Sequence, residues 1–139
     1  MADKQLTAVP TSPKKCVHRT FDGIFSPPKG KFKFEIFVDK GCSPQNEPIW
    51  KLVFDLYMKD GADFKQVVHI SYEAKTENEQ QGVKDIAVNG ITDKAFDAAD
   101  TKVLPLAQKI NDPNPPPDLS KQLKSGMQDV INIQLRGDD

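Results

Sequence analysis

Apolar and polar residues alternate almost without a fault over three stretches of this chain, 31–38, 49–58 and 64–74. A side-chain period of two over that many residues is the pattern of a β-strand with one buried face. Phe32, Phe34, Ile36 and Val38 share a face in the first stretch. Trp50, Leu52, Phe54, Leu56 and Met58 do so in the second. In the third the set is Phe64, Val68, Ile70, Tyr72 and Ala74, with Gln66 as the polar exception. A register with Met58 opposite Phe64, Phe54 opposite Val68 and Trp50 opposite Tyr72 keeps the apolar sets together. A slip by one residue would turn the whole set to solvent, so the parity of the pairing is strongly constrained.

The connectors fit a meander. Asp60-Gly61 supplies turn chemistry between the second and third stretches. The longer connector 40–48 carries Gly41, Pro44 and Pro48 and is a loop able to carry function. Before the meander, 16–25 reads as a weaker strand or hairpin with Asp22-Gly23 as its turn. After it, 76–82 reads as a polar surface connector and 83–88 as a weak fourth strand. Thr92 is a suitable N-cap, and Phe96, Ala99, Val103, Leu106 and Ile110 recur at helical spacing. Pro105 falls inside that pattern and predicts a kink or two short helices. Segment 111–117 holds four prolines and cannot continue a helix. Asp118 can cap a short helix over 118–124 that stops at Gly126. The alternation of Ile131, Ile133 and Leu135 reads 127–135 as a strand, with a helix as the alternative.

The expected fold is therefore α+β and mainly antiparallel: a three-strand meander, flanking weaker strands, and one or two short helices in the C-terminal third. Residues 1–15, with Pro10, Pro13, Lys14 and Lys15, read as an N-terminal arm, and 16–139 as a single domain. Within it 111–117 is a proline-rich connector, and 118–139 is expected to pack on the sheet or on a neighbouring subunit.

Composition narrows the function classes. The 139 residues contain 19 basic and 20 acidic side chains, so the formal charge of −1 creates no field that recruits nucleic acid or an anionic membrane. Only Arg19 and Arg136 are arginines, and the planar Arg fork is what base and phosphate recognition favours. Non-specific nucleic-acid contact through lysines stays open. No apolar run approaches the length of a membrane span, and 1–10 lacks the hydrophobic stretch of a secretory signal. Cys16 and Cys42 lie near expected strands and could pair; the favoured expectation is two unpaired thiols in a cytoplasmic protein, or in a particle assembled in the cytoplasm.

No catalytic, cofactor or metal motif is visible. Cys16 and His18 would share a face of one strand, but no second metal knuckle follows. P-loop, dinucleotide and HExxH patterns are absent. Arg136-Gly137-Asp138 spells an adhesion tripeptide, which three-residue matching produces readily by chance. His69 falls on the polar face of the third strand near Asp55, an arrangement a small enzyme could use for acid–base work.

The outer face of the meander is the candidate interaction surface: Lys31, Lys33 and Phe37, then Lys51, Val53 and Tyr57, then Lys65, Val67 and His69. Apolar groups ringed by charge often mark a binding or subunit surface; the competing expectation is that helices of the same chain cover it. The order of arm, meander and C-terminal helices is similar to that of the coat proteins of small RNA phages. The likeness is one of element order, and the final strand before the first helix is weaker here. It implies a non-enzymatic, self-associating β-sheet subunit of the viral coat, phage tail or filament kind. The alternative is a monomeric binding module using the polar face or the 40–48 loop for a protein or small ligand.

Overall fold

A computed structural model describes residues 14–137. Its sheet is antiparallel, with short edge strands β1 (Arg19–Thr20) and β2 (Ile24–Phe25) followed by the long β3 (Phe32–Cys42), β4 (Pro48–Asp60) and β5 (Asp63–Glu73). β3, β4 and β5 form the meander, and β1 and β2 both pair with the free side of β3. Helices fill the C-terminal half: α1 (Glu77–Asn89), α2 (Asp93–Ala98), a π-helical turn (Ala99–Val103), α3 (Leu104–Ala107) and α4 (Leu119–Arg136). The fold is α+β, as the alternation and the helical spacing of the C-terminal third lead one to expect.

The core lies between one face of the sheet and the helices. Phe34, Ile36, Val38, Leu52, Phe54 and Leu56 are almost completely buried there. Phe34 stacks on Phe54 at 4.7 Å and on Phe96 of α2 at 5.1 Å, joining the two layers. Burying one such ring contributes roughly 2–3 kcal/mol.

Several expectations need correction. The weak strand over 83–88 is helical. Thr76 caps α1 by accepting from the Glu79 N–H, and Val83 and Ile86 face the core while Val88 points to solvent. Four apolar residues at 83, 86, 87 and 88 in a six-residue segment do not distinguish strand from helix, and the cap decides it. The strand over 127–135 is also helical. Leu119, Leu123, Gly126, Met127, Val130, Ile131 and Gln134 are the buried positions, recurring at steps of three and four, whereas Leu135 is exposed.

Gly126 does not stop α4; it sits where α4 crosses the π-helical turn. A Cβ there would lie 3.1 Å from the Lys102 carbonyl oxygen and 3.3 Å from Val103 Cγ2. Gly82 plays the same part where α1 meets Ile131. Gly137, with φ of 70°, is the residue that ends α4. Of the two outcomes expected at Pro105, the structure shows short helices, α2 and α3, joined by the π-helical turn, in which the Leu104 N–H reaches back to Ala99 O. That wide turn lets a helix pass a residue with no N–H to donate.

Gln134, 3% exposed, is the polar knot of the helical layer. Its Oε1 accepts from the Thr92 N–H (2.8 Å), and its Nε2 donates to Gly90 O (3.1 Å) and to Asp85 Oδ2 (2.5 Å). One side chain thus satisfies the C-terminal end of α1 and the start of α2. Segment 118–137 packs as α4 against α1 and α2 and reaches the sheet through Gln128, whose amide donates to Tyr72 Oη at 2.8 Å.

Cys16 and Cys42 form a disulfide, against the expectation of two free thiols. Strand proximity was the relevant signal: Cys42 ends β3, and the chain entering β1 runs alongside it. The Cys16 N–H donates to Asn46 Oδ1, and Asn46 Nδ2 donates to Lys14 O. The connector after β3 therefore serves as a clamp for the start of the described chain. Of the expected arm 1–15, residues 1–13 lie outside the described residues.

Candidate functional site

Strand pleating sends alternate residues of β3 and β4 to the face opposite the helices. The register arranges them in rows across the sheet: Lys33–Tyr57–Gln66, Glu35–Asp55–His69, Phe37–Val53–Ser71 and Asp39–Lys51–Glu73. The helices pack on the other side, and among the described residues no helix covers this face, called here the open face.

The β4–β5 pairing departs from the expected register. Leu52 faces Tyr72, Phe54 faces Ile70 and Leu56 faces Val68, two residues along from the expected partners but with the same parity. A β-bulge at Leu56/Tyr57 then adds one residue to β5, and below it the parity reverses. Phe64 consequently turns to the open face, while Val67 packs toward the core. Lys65 pairs with Asp60 at 2.8 Å beside Met58 on the helix side. Lys31 lies exposed in the turn before β3. Of the nine residues singled out from sequence, Lys33, Phe37, Lys51, Val53, Tyr57 and His69 share the open face. Lys31, Lys65 and Val67 do not join them.

Two residues missed from sequence, Phe25 and Phe64, complete an aromatic cluster. The Lys33 ammonium lies 4.6 Å from the Phe25 ring centre, 4.6 Å from that of Phe64 and 5.9 Å from that of Tyr57. Phe25 and Tyr57 are in tilted contact at 5.5 Å. Phe25 reaches this position because residues 19–26 behave as one edge strand broken at Asp22-Gly23, not as a hairpin. The pairing sum with β3 changes by one between β1 and β2, the mark of a bulge. Gly23 passes so close to β3 that a Cβ would sit 2.6 Å from Glu35 Oε2 and 2.8 Å from Phe37 Cβ. Only glycine allows that approach.

Next to the aromatics lies a charged row. His69 Nδ1 and Asp55 Oδ1 are 2.5 Å apart, so the expected His–Asp pair is formed. Asp55 is 5% exposed although no helix covers it; its neighbours on the pleated face shield it. Glu35 lies across the strands from Asp55 and accepts from Tyr57 Oη at 3.4 Å. Desolvation, followed by the charge of Asp55, pushes the Glu35 carboxyl above its ordinary 4.5. Desolvation, with the carboxylates of Glu35 and Asp55, also raises the Tyr57 phenol.

At the free edge of β5 a groove of about 530 Å³ runs between His69–Tyr72 on one side and Pro115–Pro117, Leu119, Leu123 and Met127 on the other. Asp55 is not in its wall. The arrangement thus offers a broad aromatic and charged face and an apolar groove beside it. No protein-family model, curated protein or solved structure matches the chain.

Proposed function

We propose that this chain is a non-enzymatic assembly subunit that works by contact, with the open sheet face as its docking surface and a second copy of the chain as its partner. The observation that carries this reading is the placement of the described helices on one side of the sheet. It leaves Phe25, Phe37, Tyr57 and Phe64 on the other, among residues of both charge signs. Lys33 and Lys51 stand beside Glu35, Asp55 and Glu73, so two such faces can meet in opposite orientation without like-charge conflict. The same carboxylates weaken the case for nucleic acid, which needs a positive field.

A catalytic role for His69 and Asp55 has less support. The pair lies on a pleated surface, and the neighbouring groove does not enclose Asp55. The location proposed is an oxidising one, or the surface of an assembled particle, because the Cys16–Cys42 bridge persists where thiols stay oxidised. Among the described residues no helix is long and apolar enough to cross a membrane.

Sedimentation velocity at tens of micromolar tests the proposal. A dimer or larger species is expected, reduced to monomer in the double variant Phe25→Glu, Phe64→Lys. A wild-type chain that sediments as a monomer throughout that range sinks self-association and leaves the monomeric binding module.

A further inference from the structure

The Ala74 N–H donates to Trp50 O at 2.8 Å, which sets the phase of the β4–β5 ladder: even-numbered residues of β5 above the bulge exchange hydrogen bonds with β4. The backbone groups of His69, Ser71 and Glu73 therefore point away from the sheet, and those of Ser71 have no partner among the described residues. Below them Asn111 Nδ2 donates to Val67 O at 3.2 Å, so the connector 111–117 closes that end of the edge. Pro115–Pro117 then flank the stretch around Ser71. What is left open suits one extended segment; the connector limits the approach of a second folded sheet. Beside it lies the groove of about 530 Å³, with Ile70 and Tyr72 of β5 and Leu119, Leu123 and Met127 of α4 as its apolar walls. Lys124 and His69 are the basic side chains of its lining, and no carboxylate lines it. His69 is engaged by Asp55, whereas Lys124 is exposed and forms no ion pair among the described residues. Unpaired main-chain groups next to a groove for alternate side chains are the two elements of strand-addition recognition. The lysine adds a selection for negative charge.

We propose that this edge and groove capture an extended peptide segment of a partner protein, one that carries large apolar side chains at alternate positions and an Asp or Glu beside them. Its main chain pairs with the Ser71 N–H and C=O. Its apolar side chains, which the period of two sends to one side, sit against Leu119, Leu123 and Met127. Its carboxylate meets Lys124, the charge that the groove leaves unanswered. A small apolar ligand would fill the same groove but leave the main-chain groups of Ser71 unused, which is why the peptide is the better fit. This inference goes beyond the self-association proposed above and does not depend on it.

A phage-displayed library of random heptapeptides, selected on the immobilised full chain, provides the test. Enriched sequences should alternate large apolar and polar residues and carry more Asp and Glu than Lys and Arg. The most enriched peptide, made synthetically and titrated by NMR, should shift the Ser71 and Lys124 amide signals to saturation. Its affinity should fall about tenfold in Ser71→Pro, which removes the main-chain donor where an edge strand tolerates proline. Lys124→Glu, on an exposed part of α4, should weaken it about fivefold and turn the selected excess from acidic to basic residues. Failure to enrich any sequence above the bare support overturns the proposal, as does an affinity unchanged in either variant. So does Ser71 amide protection that grows with the concentration of the chain alone, since it would give the edge to a second copy.

Discussion

The two faces of one sheet are made from the same strands yet obey different rules. On the helix side Phe34, Phe54 and Leu56 are sealed by a second layer, and their contribution is burial of apolar surface. On the open side Val53 and Asp55 are nearly as buried, at 2% and 5% exposed, but only by side chains of neighbouring strands. Burial therefore does not identify a core here; what covers the residue does. The helix side explains why the chain folds, and the open side holds the aromatic and charged groups proposed above as a docking surface.

Substitutions can break or sharpen that contrast. The largest effect is expected from truncating a ring of the sealed face. Phe54→Ala should lower unfolding free energy by about 3–5 kcal/mol in urea titration, against about 1 kcal/mol or less for Phe37→Ala on the open face. Similar losses from both would show that the open face is part of the core. Next comes the clamp: the Cys16→Ser, Cys42→Ser double variant opens a loop with a sequence separation of 26, for which loop-closure entropy predicts about 3.5 kcal/mol. A loss under about 1 kcal/mol would mean that the clamp secures only the segment entering β1.

Smaller, and specific to the open face, is His69→Ala. It removes the hydrogen-bond partner of a shielded Asp55 and should cost about 1–2 kcal/mol. No measurable loss in thermal or urea unfolding at pH 7 would show that solvent satisfies Asp55 unaided. The smallest effect is expected at Glu35, whose carboxyl titrates higher in the folded chain than its ordinary value. Such a group favours folding when protonated and costs stability as pH rises from 4.5 through the raised value. Glu35→Gln should therefore be slightly more stable than wild type at pH 7, within about 0.5 kcal/mol. That advantage should vanish below pH 4.5; a stability gap independent of pH between 4 and 7 would contradict it.

Legibility from sequence followed the range of the interaction. The meander was readable because each strand states its own face in its own residues, two apart. Phe37, Val53, Tyr57 and His69 were placed on one face by that parity alone. Phe25 and Phe64 were not, since each depends on a bulge, and a bulge is decided by two strands together. Val83–Val88 and Ile131–Leu135 misled because the few apolar residues of so short a segment fit both periods. Their helical form is settled by the Thr76 cap, by Gly82 and Gly126 at close crossings, and by Gln134, whose partners are more than forty residues away in sequence.

The chain by itself determined three amphipathic strands, their parity above the bulge and the helical stretch begun by Thr92, because these rest on local periodicity and capping. Tertiary structure alone decided which face of the sheet the helices would take, that Cys16 meets Cys42, and that the edge of β5 ends beside an apolar groove. Those outcomes depend on contacts between segments far apart in sequence, where each segment's own pattern is satisfied equally well by several arrangements and only mutual packing selects one.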